Sequence, residues 1–123
     1  MKLTEAEVLL MHHLWQLDKA FMKDLLDAYP DPKPAPTTVA TLLKRMINKG
    51  FVAYREYGNS REYYPLVKKE AYFSNQMAGL ITDFFDDSAG QFASYFAASA
   101  NLSTSELEDL KNIIDQQLQK KKP

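Results

Sequence analysis

Three threonines stand within five positions in the segment TTVATLLKRM: Thr37, Thr38 and Thr41. Two cations, Lys44 and Arg45, follow them. Short hydroxyl side chains at the start of a helix match the donor and acceptor edges of bases in the major groove, and a threonine methyl packs on a thymine methyl. Cations one turn further along suit the flanking phosphates. The plain alternative is an amphipathic helix with a solvated polar face. Threonine is a mediocre helix former, so its density here favours a purpose. A second group lies downstream, where Arg55 and Arg61 flank Gly58-Asn59-Ser60 and are placed to approach a phosphate or the minor groove. Tyr57, Tyr63 and Tyr64 suit cross-strand packing better than base stacking.

Other chemistry is poorly supported. His12 and His13 are adjacent, so on a helix they do not share a face, and the chain has no further histidine. With no cysteine, thiolate metal sites, disulfides and cysteine nucleophiles are excluded. No metal site and no cofactor are expected. Asp83, Asp86 and Asp87 read as a solvated helix end, and Trp15 as a core anchor. The sequence shows neither a glycine-rich phosphate loop nor a nucleophile–base pair, so an enzyme is not expected.

The elements that must position the threonines follow from periodicity. Thr4 and Glu7 form a capping box that opens a first helix ending near Asp18. Its apolar face holds Ala6, Leu10, Leu14 and Leu17, widened by Val8, Met11 and Trp15. Residues 21–29 form a short second helix with Leu25, Leu26 and Tyr29 inward. Pro30, Pro32 and Pro34 keep the next loop non-helical, and Pro36 suits the start of a third helix, Thr37 to Asn48. Val39, Leu42, Leu43 and Met46 are its apolar stripe. Lys49-Gly50 ends it. FVAYREY and REYYPLV then form a hairpin about Gly58-Asn59-Ser60.

From Lys68 the chain is helical again: first through Asp87, then Gln91 to Ala98. A last helix is opened by the capping box Ser103–Glu106. Three helices, a hairpin and three helices make a mainly α fold with a small β-hairpin. The expected architecture is a winged helix-turn-helix (1–67) followed by a helical dimerisation domain (68–123). Phe73, Phe84, Phe85, Phe92, Tyr95 and Phe96 are more aromatic surface than three short helices can hide. With Leu110, Ile113 and Ile114 on the last helix, Phe84, Phe85 and Phe92 are the expected dimer contacts. A twofold dimer also matches palindromic DNA.

The net charge is −1, yet its distribution is uneven. Between Pro34 and Val67, Lys44, Arg45, Lys49, Arg55 and Arg61 stand against Glu56 and Glu62, a local +3. A basic patch on a neutral protein still neutralises phosphates. The opening MKLTEAEV puts acids where a secretory signal needs an apolar run, and no stretch is apolar enough to span a bilayer. A cytoplasmic protein without membrane insertion is expected.

LTEAEVLLMHHLW, TTVATLLKRMINKGFV, REYGNSREYYPLV and YFAASANLSTSELEDLKNII together resemble the penicillinase repressor (BlaI/MecI) family across nearly the whole chain. The resemblance implies a dimeric repressor on pseudo-palindromic operator DNA. It also implies inactivation when a membrane-bound sensor metalloprotease system triggers cleavage in the dimerisation domain. The family's cut follows an asparagine before Phe-Ala; here the place holds Tyr95-Phe96-Ala97, so the phenylalanine is kept and the asparagine is not. The family's copper-responsive branch carries a cysteine motif that this chain lacks. Two other readings make different demands. A winged-helix regulator switched by a small ligand needs no proteolysis, and a winged-helix protein-interaction module needs no salt-dependent affinity for duplex DNA.

Overall fold

A computed structural model describes residues 2–122. The elements are α1 (Glu5–Leu17), β1 (Ala20–Phe21), α2 (Met22–Ala28), α3 (Pro36–Asn48), β2 (Val52–Tyr57), β3 (Ser60–Pro65), α4 (Lys69–Phe84), α5 (Ala89–Ser99) and α6 (Thr104–Lys121). The chain divides into two compact units, residues 1–76 and 77–123, so the first two turns of α4 lie with the first unit.

In the first unit Leu10, Met11 and Leu14 of α1, Leu25 and Tyr29 at α2, and Val39, Leu42, Leu43 and Met46 of α3 are buried together. Ala20, Phe51, Val52 and Tyr63 close the core from the sheet. Full burial of each large aliphatic side chain contributes about 1.5–3 kcal/mol. Trp15 is half-buried against this cluster and donates its indole N–H to the Val67 carbonyl at 2.8 Å. Tyr72 of α4 packs on the same core and accepts from the Leu3 amide at 3.2 Å.

Local chemistry sets the ends of the elements. Thr4 and Glu7 form the expected capping box, and Asp18 ends α1. Lys33 reaches back to the Leu26, Asp27 and Tyr29 carbonyls, supplying donors to groups that the end of α2 leaves bare. Gly50 takes φ +80° just beyond α3. There its amide donates to Ile47 at 3.0 Å and the Phe51 amide to Met46 at 2.9 Å, the paired bonds of a Schellman ending. At the wing tip Gly58 has φ +60° in the first central position of a two-residue turn, the place a type II′ turn reserves for glycine.

Four expectations are corrected, the first being the helix expected through Asp87, which stops at Phe84 because Asp86 and Asp87 take positive φ of 51° and 63°. The sheet has three strands in the order β1-β3-β2, not a lone hairpin: Ala20 pairs with Tyr63 and Phe21 with Glu62. Phe21 therefore leaves the expected second helix: it is extended opposite Glu62 and caps α2, its amide donating to the Asp24 carboxylate at 3.0 Å. Ala6 and Leu17 are exposed, and Glu7 takes a place in the buried stripe of α1 instead. The fifth helix runs from Ala89 to Ser99, longer than Gln91 to Ala98, because Ser88 caps it through the Gln91 amide.

Glu7 is only 1% exposed. Its carboxylate accepts from the Thr4 amide at 2.9 Å and from Lys49 Nζ at 2.9 and 2.8 Å. The Lys49 ammonium, followed by the Thr4 amide, holds the Glu7 carboxyl below its ordinary pKa against the opposing effect of burial. Lys49→Ala strands a buried carboxylate and is expected to cost about 3 kcal/mol at pH 7. Glu7→Gln leaves an ammonium that can turn to water and costs only about 1 kcal/mol. Because the folded pKa is lowered, the stabilisation exists above the unfolded value of about 4.3 and fades as pH falls through the folded one. Urea denaturation at pH 7 and pH 3 checks this: the deficit of Lys49→Ala should close in acid. An equal deficit at both values would mean that only the lysine stem matters.

Candidate nucleic-acid interface

Helix α3 is divided lengthwise. At about 100° per residue, Thr37, Thr41, Lys44 and Asn48 form one strip, with Thr38 and Arg45 beside it. All six are exposed, while Val39, Leu42, Leu43 and Met46 are buried on the opposite side. The five residues singled out on this helix are thus brought together on one solvent face. Asn48 joins them; its signal was its position one turn beyond Lys44. Lys44 and Arg45 have no carboxylate partner among the described residues, whereas Lys49, counted among the local cations, is bound to Glu7.

The hydroxyls differ in availability. Thr41 Oγ1 donates to the Thr37 carbonyl at 2.9 Å, so its proton is committed although the residue is exposed. No partner among the described residues takes the Thr38 hydroxyl.

Strand register decides where the wing arginines go. Arg55 pairs with Glu62 and Arg61 with Glu56, on opposite faces of the sheet because successive side chains alternate. The Arg61 face is the one that buries Val52 and Tyr63. Each guanidinium lies on an aromatic ring: Arg61 is 4.4 Å from the Tyr54 ring centre, and Arg55 is 5.8 Å from that of Tyr64. Such contacts are worth about 0.5–1 kcal/mol at exposed sites and limit the freedom of the side chains. Tyr54 and Tyr63 pack across the strands with ring centres 5.9 Å apart, and Phe21 of β1 meets Tyr57 at 6.1 Å.

The two histidines diverge as their spacing requires. His12 is exposed and edge-on to Trp15. His13 is half-buried against Tyr29, and burial, then the neighbouring His12, lowers its pKa.

In the second unit no residue of α5 or α6 is buried. Phe85 sits against Phe92 and Tyr95, with ring centres 5.6 Å away in both cases. Phe85, Phe92 and Leu110 are partly covered, whereas Phe84, Ile113 and Ile114 are 73%, 53% and 62% exposed. An apolar groove of 520 Å³ runs between α5 and α6, lined by Phe92, Phe96, Leu107, Leu110 and Ile114 among others. Tyr95, Phe96 and Ala97 lie within α5 and are exposed.

The model of the penicillinase repressor family matches residues 3–116. The methicillin resistance regulatory protein MecI of Staphylococcus aureus is 24% identical over 115 residues, covering 93% of this chain and 94% of its own. MecI of Mammaliicoccus sciuri is 23% identical over the same shares. Among solved structures, the oxidised form of MarR from E. coli aligns with a TM-score of 0.51 at 16% identity, over 95% of this chain and 76% of its own. BpsR of Bordetella bronchiseptica, whose DNA binding is regulated by 6-hydroxynicotinic acid, aligns with a TM-score of 0.50 at 14% identity, over 94% and 80%. These structures share the winged-helix fold.

The committed Thr41 proton separates two otherwise similar residues. Thr38→Val should lower affinity for a specific duplex by about 1–3 kcal/mol, the range of a lost base contact. Thr41→Val keeps the methyl and should cost less than about 1 kcal/mol. Fluorescence anisotropy on a footprinted site and on random DNA makes the comparison. Equal losses on both duplexes for Thr38→Val would reduce that residue to a positioning role.

Proposed function

Because this chain belongs to the penicillinase repressor family, we propose that it represses transcription as a homodimer on pseudo-palindromic operator DNA, each protomer laying α3 in a major groove. The family consists of transcriptional repressors, not enzymes, and the chain is a DNA-binding transcriptional regulator. The lengthwise division of α3 supports the finer reading most directly. Thr37, Thr38 and Thr41 face base edges, and Lys44 and Arg45 meet the backbone. Arg55 and Arg61 add wing contacts. A cytoplasmic site of action accords with this role, and no helix among the described residues is long and apolar enough to cross a membrane.

Arg45→Ala tests the reading. It should weaken binding to operator and random duplexes alike and lower the slope of log affinity against log salt by about one unit per bound protomer. A changed sequence preference at constant slope would instead make Arg45 a base reader. Absence of salt-dependent duplex binding by the unaltered chain would remove the repressor reading altogether.

Dimerisation through residues 68–123 accords with the exposure of Phe84, Ile113 and Ile114, which leaves apolar area for a partner to cover. Release by a membrane sensor metalloprotease system would cut beside Phe96, and α5 would have to unwind locally to present an extended bond. The cut would separate α6 from the rest of the dimer surface and forfeit the effective concentration that joined readers enjoy, worth about 10²–10⁴ in affinity. Sedimentation should show dimers for the unaltered chain at micromolar concentration, and monomers for Phe84→Asp and Ile113→Asp, which place a charge in an apolar contact. An unaltered chain that sediments as a monomer would overturn the dimer. Derepressed cells holding only full-length chains by mass spectrometry would overturn cleavage.

A further inference from the structure

We propose that a notch between α2 and the wing tip is a second backbone-phosphate site, in which Lys23 and Arg61 grip one phosphate of a DNA strand. It rests on the repressor reading and adds a contact outside α3. The notch has a volume of 460 Å³ and is lined by Lys23, Asn59, Ser60 and Arg61 together with Phe21, Met22 and Tyr63. No carboxylate lines it. Among the described residues the ion pairs are Glu7–Lys49 and Lys111–Asp115, so neither notch cation is neutralised within the chain.

The two-residue strand β1 creates this juxtaposition. Its antiparallel register, Ala20 with Tyr63 and Phe21 with Glu62, carries the chain toward the wing tip, so that Lys23 at the start of α2 arrives beside Ser60 and Arg61. Arg61 is steadied over the Tyr54 ring, and Lys23 is exposed. Two cations lining one notch, with a hydroxyl and an amide from the turn, provide charge and hydrogen bonds for a phosphate.

The test uses the full chain and a labelled random-sequence duplex titrated over a series of NaCl concentrations. Lys23→Ala should weaken binding and lower the salt slope by about one unit per bound protomer. Lys23→Glu should weaken it further. If both cations hold one phosphate, Lys23→Ala with Arg61→Ala should lower the slope by less than the sum of the single changes. An unchanged affinity and slope for Lys23→Ala, beside steep salt dependence in the unaltered chain, overturns the notch and leaves the repressor reading intact. Loss of salt dependence in the unaltered chain overturns that reading itself. Inorganic phosphate that shifts the Lys23 and Ser60 amide resonances, while Lys23→Ala leaves duplex binding untouched, would mark a site for free anions and overturn the assignment to DNA.

Discussion

The Glu7 carboxylate joins the two helices on which the reading surface depends. It caps the start of α1 through the Thr4 amide and binds Lys49, the residue that ends α3. A carboxylate so deeply buried is costly unless its oxygens find donors, and here both do. A shift of α1 against α3 would strand that charge, so the pair penalises misplacement as much as it adds stability. Met46, Leu10 and Leu14 fill the apolar contact that the pair accompanies. The orientation of the threonine strip therefore follows from an interaction at the far end of its own helix.

That arrangement also explains how a chain of net charge −1 can approach a polyanion. Its cations are sorted by what holds them. Lys33 is turned to the α2 carbonyls and Lys49 to Glu7, while Lys44 and Arg45 stay on the open face of α3 and the wing arginines lie over tyrosine rings. Ring stacking leaves the guanidinium N–H groups available in a way that a carboxylate partner does not. Local availability, more than total charge, sets the capacity for phosphate.

The second unit obeys a different balance. Its helices carry apolar faces, yet α5 and α6 bury no residue fully, and an open groove separates them. Residues 77–123 are few for a self-contained core, since small units hide a low fraction of their surface. The first unit, by contrast, buries fourteen hydrophobic residues among those described.

Features written within a few residues were legible in the sequence. Both capping boxes, the proline-marked start and glycine-marked end of α3, its apolar stripe and the wing turn each depend on near neighbours, and each stands as read. The grouping of Thr37, Thr38, Thr41, Lys44 and Arg45 on one exposed face follows from helical periodicity alone. Tertiary structure decided the rest. Strand β1 is too short to carry a period, and it exists because β3 offers it a ladder. The Glu7–Lys49 pair spans 42 positions, and nothing local in either residue names the other. Ala6 and Leu17 satisfied the helical period but lie outside the sector that meets α3, where Glu7 is enclosed instead. Arg55 and Arg61 look equivalent until register sends them to opposite faces. Periodicity records which side of an element is apolar, whereas the partner that covers it is fixed only when distant segments close on one another.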